Sequence, residues 1–228
     1  MKVAAAPAAP ARVSAVLFDL DGTLVDSAPD LAGTVNDMLQ RRGLTRLPYA
    51  VLRPHAGSGA RGMLGPAFEV NPGDPAYESL RDEFHDHYVT RMLQETRPFD
   101  AAMRVLDALD HRGLPWGIVT NKAQRFAGPL AQAMGLQRCA VLVAGDTTPH
   151  TKPHPAPLLE AARRLGQHPH ACVYVGDDAR DVQAGRAAGM HTLAAAWGYL
   201  GTALAPHAWG ADAVLADADA LLHWLELP

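Results

Sequence analysis

Two carboxylates spaced two residues apart, Asp19 and Asp21, close an apolar run and lead directly into Gly22 and Thr23. A carboxylate can attack phosphorus, but it repels a phosphate dianion, so such chemistry requires a divalent cation and further positive charge nearby. Residues i and i+2 of an extended chain point to the same side. That spacing sets Asp19 and Asp21 toward one reacting atom and turns Leu20 into the core. Gly22 permits a sharp turn, Thr23 adds a hydroxyl, and both are candidate phosphate contacts. Asp-Gly is also a common hairpin signal, so the run by itself reads almost equally well as a surface turn.

Three more polar clusters follow apolar runs. Thr120 and Asn121, after Ile118-Val119, offer a hydroxyl and an amide suited to phosphate oxygens, or a plain helix cap. Gly176-Asp177-Asp178-Ala-Arg-Asp181 offers carboxylates suited to a hard cation such as Mg2+, or acids at a helix start. Gly145-Asp146-Thr147 precedes Thr151-Lys152-Pro-His-Pro-Ala-Pro157, whose prolines stiffen the chain around one ammonium. A lone lysine is ordinarily solvated, yet a fixed one beside a transferring phosphoryl group stabilises the developing charge.

The elements that must position these groups follow from periodicity. Residues 13–18 are apolar and β-branched enough for a strand buried on both faces. Further strands are expected at 115–120, 140–144, 171–175, 191–195 and 213–215, alternating with helices at 101–112, 123–134, 156–165 and 181–188. Regular β/α alternation implies a doubly wound, mainly parallel, Rossmann-like sheet with helices on both faces, and ligands bind such sheets at the carboxyl ends of the strands. Between the first strand and this pattern, residues 27–97 read as all-helical. Ser27 is the expected N-cap with Pro29 in the first turn, Gly43 stops the first helix, and another helix covers 77–93. The expected organisation is a tail at 1–12, an α/β core made of 13–26 and 98–228, and a helical cap at 27–97.

At 228 residues and a net charge of -4, with lysines and arginines scattered, the chain has no basic face for nucleic acid. No apolar run approaches the roughly 18 residues needed to span a bilayer. The Ala- and Pro-rich stretch ahead of the first strand makes a poor signal peptide and reads as a frayed tail. The two cysteines, Cys139 and Cys172, lie in apolar runs and read as buried thiols of a cytoplasmic protein. Monomer and dimer both fit the sequence.

Taken together, these motifs resemble the haloacid dehalogenase-like hydrolases, in the subgroup of phosphatases with a helical cap between the first and second motifs. Asp19-Leu-Asp21-Gly-Thr is like motif one, Thr120 with Asn121 motif two, Lys152 motif three, and Gly176-Asp177 with Asp181 motif four. The resemblance implies that Asp19 attacks phosphorus to give an aspartyl-phosphate, and that Asp21 protonates the leaving oxygen and then activates water. It implies Mg2+ held by the Asp19 carboxylate, the Asp21 carbonyl and Asp177, with Asp178 or Asp181 in support through water. Family dehalogenases lack an acid at position 21, so its presence implies phosphate esters. The runs around Lys152 and Gly176 look most like phosphoglycolate phosphatases. Those at Trp116-Gly-Ile-Val-Thr-Asn-Lys122, Arg125-Phe126 and Trp209-Gly-Ala-Asp212 are also similar to enzymes that dephosphorylate N-acetylmuramic acid 6-phosphate in cell-wall recycling.

Specificity in capped members comes from the insert, so Gly57-Ser58-Gly59-Ala60-Arg61 is the candidate loop over the phosphate, with Arg61 either binding a substrate carboxylate bidentately or simply exposed. Its glycine spacing matches a dinucleotide-binding turn, but no credible strand precedes it, and that reading is rejected. His85 and His87, two apart on one helix, face different directions and make a poor metal pair. Two other functions use similar residues: a phosphosugar mutase, which returns the phosphoryl group to sugar, and a regulatory module phosphorylated on Asp19.

Overall fold

The computed structural model describes residues 13–227. The expected tail at 1–12 lies outside the described residues. In chain order the elements are β1 (Ala15–Phe18), β2 (Val25–Asp26), α1 (Ala28–Arg41), α2 (Tyr49–Leu52), α3 (Gly59–Phe68), α4 (Tyr77–Arg91), β3 (Arg97–Pro98), α5 (Asp100–His111), β4 (Trp116–Val119) and α6 (Gln124–Ala133). There follow β5 (Val141–Val143), α7 (Ala156–Leu165), β6 (Cys172–Gly176), α8 (Ala179–Ala187), β7 (His191–Ala195), β8 (Ala213–Leu215) and α9 (Ala220–Trp224).

Six strands form one sheet in the order β5, β4, β1, β6, β7, β8, and every neighbouring pair is parallel. This is the doubly wound α/β class expected from the alternation. β1 is fully buried, as a strand covered by helices on both faces must be. The chain runs to β4 on one side of β1 and later to β6 on the other, so the strand order reverses beside β1 and opens a crevice at its carboxyl end. Register places the motifs there: Phe18 lies opposite both Ile118 and Val175, which brings Asp19 level with the ends of β4 and β6.

Helices α1 to α4 pack an apolar cluster of their own that includes Leu31, Val35, Met38, Met63, Phe84 and Tyr88, and it reaches Phe126 and Tyr199 of the α/β part. Fully burying each such side chain contributes about 1.5–3 kcal/mol before entropy is counted. Buried Asp30 on α1 accepts hydrogen bonds from Glu95 N (3.0 Å), Thr96 N (2.8 Å) and Thr96 Oγ1 (2.8 Å), which stitch the returning chain to the start of α1.

Several local expectations are corrected. The stretch ending at residue 97 is not wholly helical, because β2 and β3 pair antiparallel as a two-strand ribbon where the chain leaves and re-enters the α/β part. Ser27 occupies the N-cap position of α1 but its side chain makes no cap, because Asp21 takes its hydroxyl. The segment at 57–61 is a 3-10 turn running into α3 rather than an open loop. Cys172 is buried on β6, whereas Cys139 is only half-buried ahead of β5, and both are free thiols. Among the described residues no helix is long and apolar enough to cross a membrane.

Candidate active site

Asp19 follows β1, and its amide donates to Val175 O (2.9 Å), which ties the carboxylate to the end of β6. Gly22 then turns at φ 84°, and a Cβ there would fall on the Asp177 carboxylate, so only glycine lets the turn lie against that acid. Thr23 is fully buried and donates to Asp177 Oδ1 (3.1 Å). The hydroxyl of this candidate phosphate contact orients Asp177, whose other oxygen accepts from Tyr199 N (2.7 Å).

Lys152 is the buried cation beside Asp19. Its Nζ lies 2.8 Å from Asp19 Oδ1 and 2.7 Å from Asp181 Oδ1, and donates to Val119 O (3.0 Å) and Tyr174 Oη (2.7 Å). Burial opposes the charge, but Asp181 and then Asp19 more than offset it and hold the ammonium above the ordinary lysine range. Asn121 grips the Lys152 backbone in both directions, Nδ2 to Lys152 O and Lys152 N to Oδ1, each at 2.9 Å. Asn121, a candidate phosphate contact, thereby positions the lysine. Thr120 Oγ1 accepts from Lys122 N (3.1 Å), which leaves its own O–H to donate.

Asp177 and Asp181 come from the end of β6 and the first turn of α8. Asp178, one of the two acids expected in support of the metal or at a helix start, caps α8 by accepting from Arg180 N (2.8 Å) and pairs with the Arg180 guanidinium. Asp181 closes that capping box and turns its other oxygen to Lys152. Thr147 and Asp146 are also structural, accepting from Ala144 N (2.9 Å) and Gln124 N (2.8 Å).

Asp19, Asp177 and Asp181 can each present one oxygen within 4.8 Å of the others. Burial, opposed by Lys152, raises the Asp19 carboxyl to about 6. Burial and then Asp19 and Asp181 push Asp177 well above the usual carboxylate range. Asp19 Oδ1 is buried with no directed hydrogen bond, the Lys152 ammonium lying close but off the bonding direction. Three crowded carboxylates beside one ammonium carry a surplus of two negative charges when ionised, and all-oxygen donors suit a hard divalent cation. The residues fit Mg2+.

Sequence reasoning missed several residues. Asp21 is clasped on one oxygen by Ser27 Oγ and lies 3.1 Å from Lys122 Nζ on the other. Burial works against the charge on Lys122, yet Asp21 and Tyr88 hold it above the ordinary lysine range. Tyr199 Oη accepts from Ser27 N (2.8 Å) and Ala28 N (3.0 Å), fixing the chain where it enters α1. Apart from Ser27, six residues from Asp21, these partners are distant in sequence, and the one available signal was Lys122 standing two places after Thr120.

Above the carboxylates is a cavity of about 330 Å³, with Asp19, Asp21 and Thr120 at its base and Phe84, Tyr88 and Phe126 on its walls. Ser58, Gly59 and Arg61 border it, and Ser58 and Arg61 are exposed.

A sequence model described as haloacid dehalogenase-like hydrolase matches residues 13–189. The chain belongs to that family. Among haloacid dehalogenase-like relatives, it is 48% identical over 202 residues to a protein of Xanthomonas campestris pv. campestris named phosphoglycolate phosphatase, covering 88% of this chain and 91% of that one. It is 41% identical over 205 residues to the N-acetylmuramic acid 6-phosphate phosphatase of Pseudomonas aeruginosa, covering 90% and 91%. A crystal structure described as a predicted phosphoglycolate phosphatase from Haemophilus somnus superposes with a TM-score of 0.82 at 26% identity, covering 92% of this chain and 97% of the other.

Proposed function

We propose that this hydrolase is a Mg2+-dependent phosphomonoesterase acting on 2-phosphoglycolate. The observation that carries the reading is the meeting of Asp19 with Lys152, Asp177 and Asp181 at one strand edge. Asp19, Asp177 and the Asp21 carbonyl would hold the cation, with Asp181 in support. When bound, Mg2+ would offset the repulsion between Asp19 and a phosphate dianion.

The chain's own residues account for the rest. An Asp19 oxygen forms a bond to phosphorus while the ester P–O bond breaks, and the departing oxygen takes a proton from Asp21. Asp21 then takes a proton from water, whose oxygen attacks the aspartyl-phosphate, releasing phosphate and restoring Asp19. Lys152 holds the Asp19 carboxylate and faces the charge that builds on the phosphoryl oxygens, and the Thr120 hydroxyl donates to one of them. Residues 27–97 act as a cap over the core formed by 13–26 and 98–228, excluding bulk water. The same reading assigns the enzyme to the reducing cytoplasm, where Cys139 and Cys172 remain thiols.

One observation favours a second substrate. A cavity of about 330 Å³ with aromatic walls is larger than a two-carbon acid requires and fits a sugar ring, as in N-acetylmuramic acid 6-phosphate. The deciding experiment compares kcat/KM for phosphate release from the two compounds with Mg2+, with Asp19→Asn as the blank. Preference for phosphoglycolate supports the first reading and preference for the amino sugar the second. Release from neither, or release by Asp19→Asn, refutes the proposal.

A further inference from the structure

Lys122 links two parts of the molecule that otherwise meet the site separately. Its ammonium lies 3.1 Å from Asp21 Oδ2, donates to Tyr88 Oη at 3.1 Å, and stands 4.8 Å from the centre of the Tyr88 ring. The side chain is 8% exposed, so these contacts are made largely out of water. Tyr88 belongs to α4 of the helical insert, Lys122 to the segment after β4, and Asp21 to the turn after β1. The second Asp21 oxygen accepts from Ser27 Oγ, immediately before α1. Both oxygens of the acid are thus held by groups that depend on where the insert sits.

Other contacts that fasten the insert do so without touching Asp21. Arg180 Nη2 donates to Gly57 O (2.8 Å), and Arg53 Nη1 donates to Gly198 O (3.0 Å). A lysine on a flexible four-carbon stem holds a carboxylate in place only when its own head is fixed. Here the Tyr88 oxygen and ring face fix it.

We propose that Lys122 is a positioning residue that ties the aim of Asp21 to the seating of the helical insert through Tyr88. It rests on the reading of Asp21 as the acid that protonates the leaving oxygen. With α4 seated, Tyr88 holds the ammonium, the ammonium holds Asp21 Oδ2, and the acid faces the ester oxygen. With Tyr88 withdrawn, Lys122 loses its anchor and the acid its orientation.

The test exploits the leaving group. An alkyl phosphate needs a proton on its departing oxygen, whereas p-nitrophenyl phosphate releases a stable anion, and kcat/KM reports only steps up to that departure. Both are measured for wild type, Asp21→Asn, Lys122→Met, Tyr88→Phe and Lys122→Met/Asp21→Asn, the alkyl substrate being whichever of the two compounds above the enzyme prefers. Asp21→Asn should lose on the order of 10²–10⁴-fold on the alkyl phosphate and far less on the nitrophenyl ester. Lys122→Met should show the same skew at roughly 10–100-fold, Tyr88→Phe a smaller skew in the same direction, and the double variant no more loss than Asp21→Asn alone. Should Lys122→Met fail to fold, Tyr88→Phe carries the test. Equal losses on both substrates for Lys122→Met and Tyr88→Phe, or losses that simply add in the double variant, overturn the inference while a skewed Asp21→Asn leaves the acid assignment standing. An unskewed Asp21→Asn removes both.

Discussion

Replacing Lys152 with methionine deletes the ammonium at the centre of the site while keeping an unbranched apolar stem. The side chain is 3% exposed and lies 2.8 Å from Asp19 and 2.7 Å from Asp181. At an effective dielectric near 20 each contact is worth about 6 kcal/mol in gross attraction. Recovering the lysine's desolvation returns several kcal/mol, and removing one partner of a buried pair typically costs a net ~3–5 kcal/mol. The lower end is expected here, because the Asp19 carboxyl, already raised to about 6, takes up a proton rather than remain an uncompensated charge. For a chain of 228 residues, a loss of about 3 kcal/mol lowers Tm by roughly 6–12 °C. Turnover falls further, on the order of 10²–10³-fold, because the charge facing the phosphoryl group is gone. Urea unfolding followed by circular dichroism gives the first number and phosphate release the second. A variant within about 1 kcal/mol of wild type that also keeps its turnover would refute the assignment of Lys152 as the buried electrostatic centre.

Chelation with EDTA should abolish turnover and excess Mg2+ restore it. At about 100 times its Kd the ion should add about 2.7 kcal/mol of stability, an increment that Asp177→Asn removes; turnover resistant to EDTA contradicts the metal reading. Gly22→Ala forces a side chain into φ 84° and onto the Asp177 carboxylate, costing about 1–2 kcal/mol in backbone strain and, by displacing that acid, roughly 10²-fold in kcat; wild-type kcat would show that the turn does not set the acid's place. Burial pushes the Cys172 thiol up to about 11, so at pH 8 only about one part in a thousand is thiolate. Reaction with an aromatic disulfide reagent should be slow in the native protein, quicken as pH rises toward 11, and become fast in urea. Rapid native labelling of Cys172 at pH 8, located by mass spectrometry, would contradict its burial.

Strands buried on both faces are largely apolar, and this made the sheet legible: β7 and β8 lie at the expected bounds, and β1, β4, β5 and β6 fall within a residue or two of theirs. The ribbon of β2 and β3 escaped because two residues per strand, one of them Pro98, carry no period. Asp19, Lys152, Asp177 and Asp181 were legible for the same reason as the sheet, since parallel strands in register deliver whatever follows them to one edge. What each neighbouring polar residue does was not legible. Ser27 reads as a cap and instead holds Asp21. Asn121 and Thr23 read as phosphate contacts, and their bonds to Lys152 and Asp177 carry no signal in the sequence. Asp178 reads either as a metal-supporting acid or as a helix cap, and it caps α8. Caps and ligand sites draw on the same short oxygen-bearing side chains, because a backbone N–H and a cation both call for an oxygen. Groups far along the chain enter that choice, as when Thr23 meets Asp177 or Asn121 meets Lys152. Sequence spacing therefore locates the edge at which the chemistry occurs, and long-range packing divides the polar residues there between reacting with the substrate and holding the residues that do.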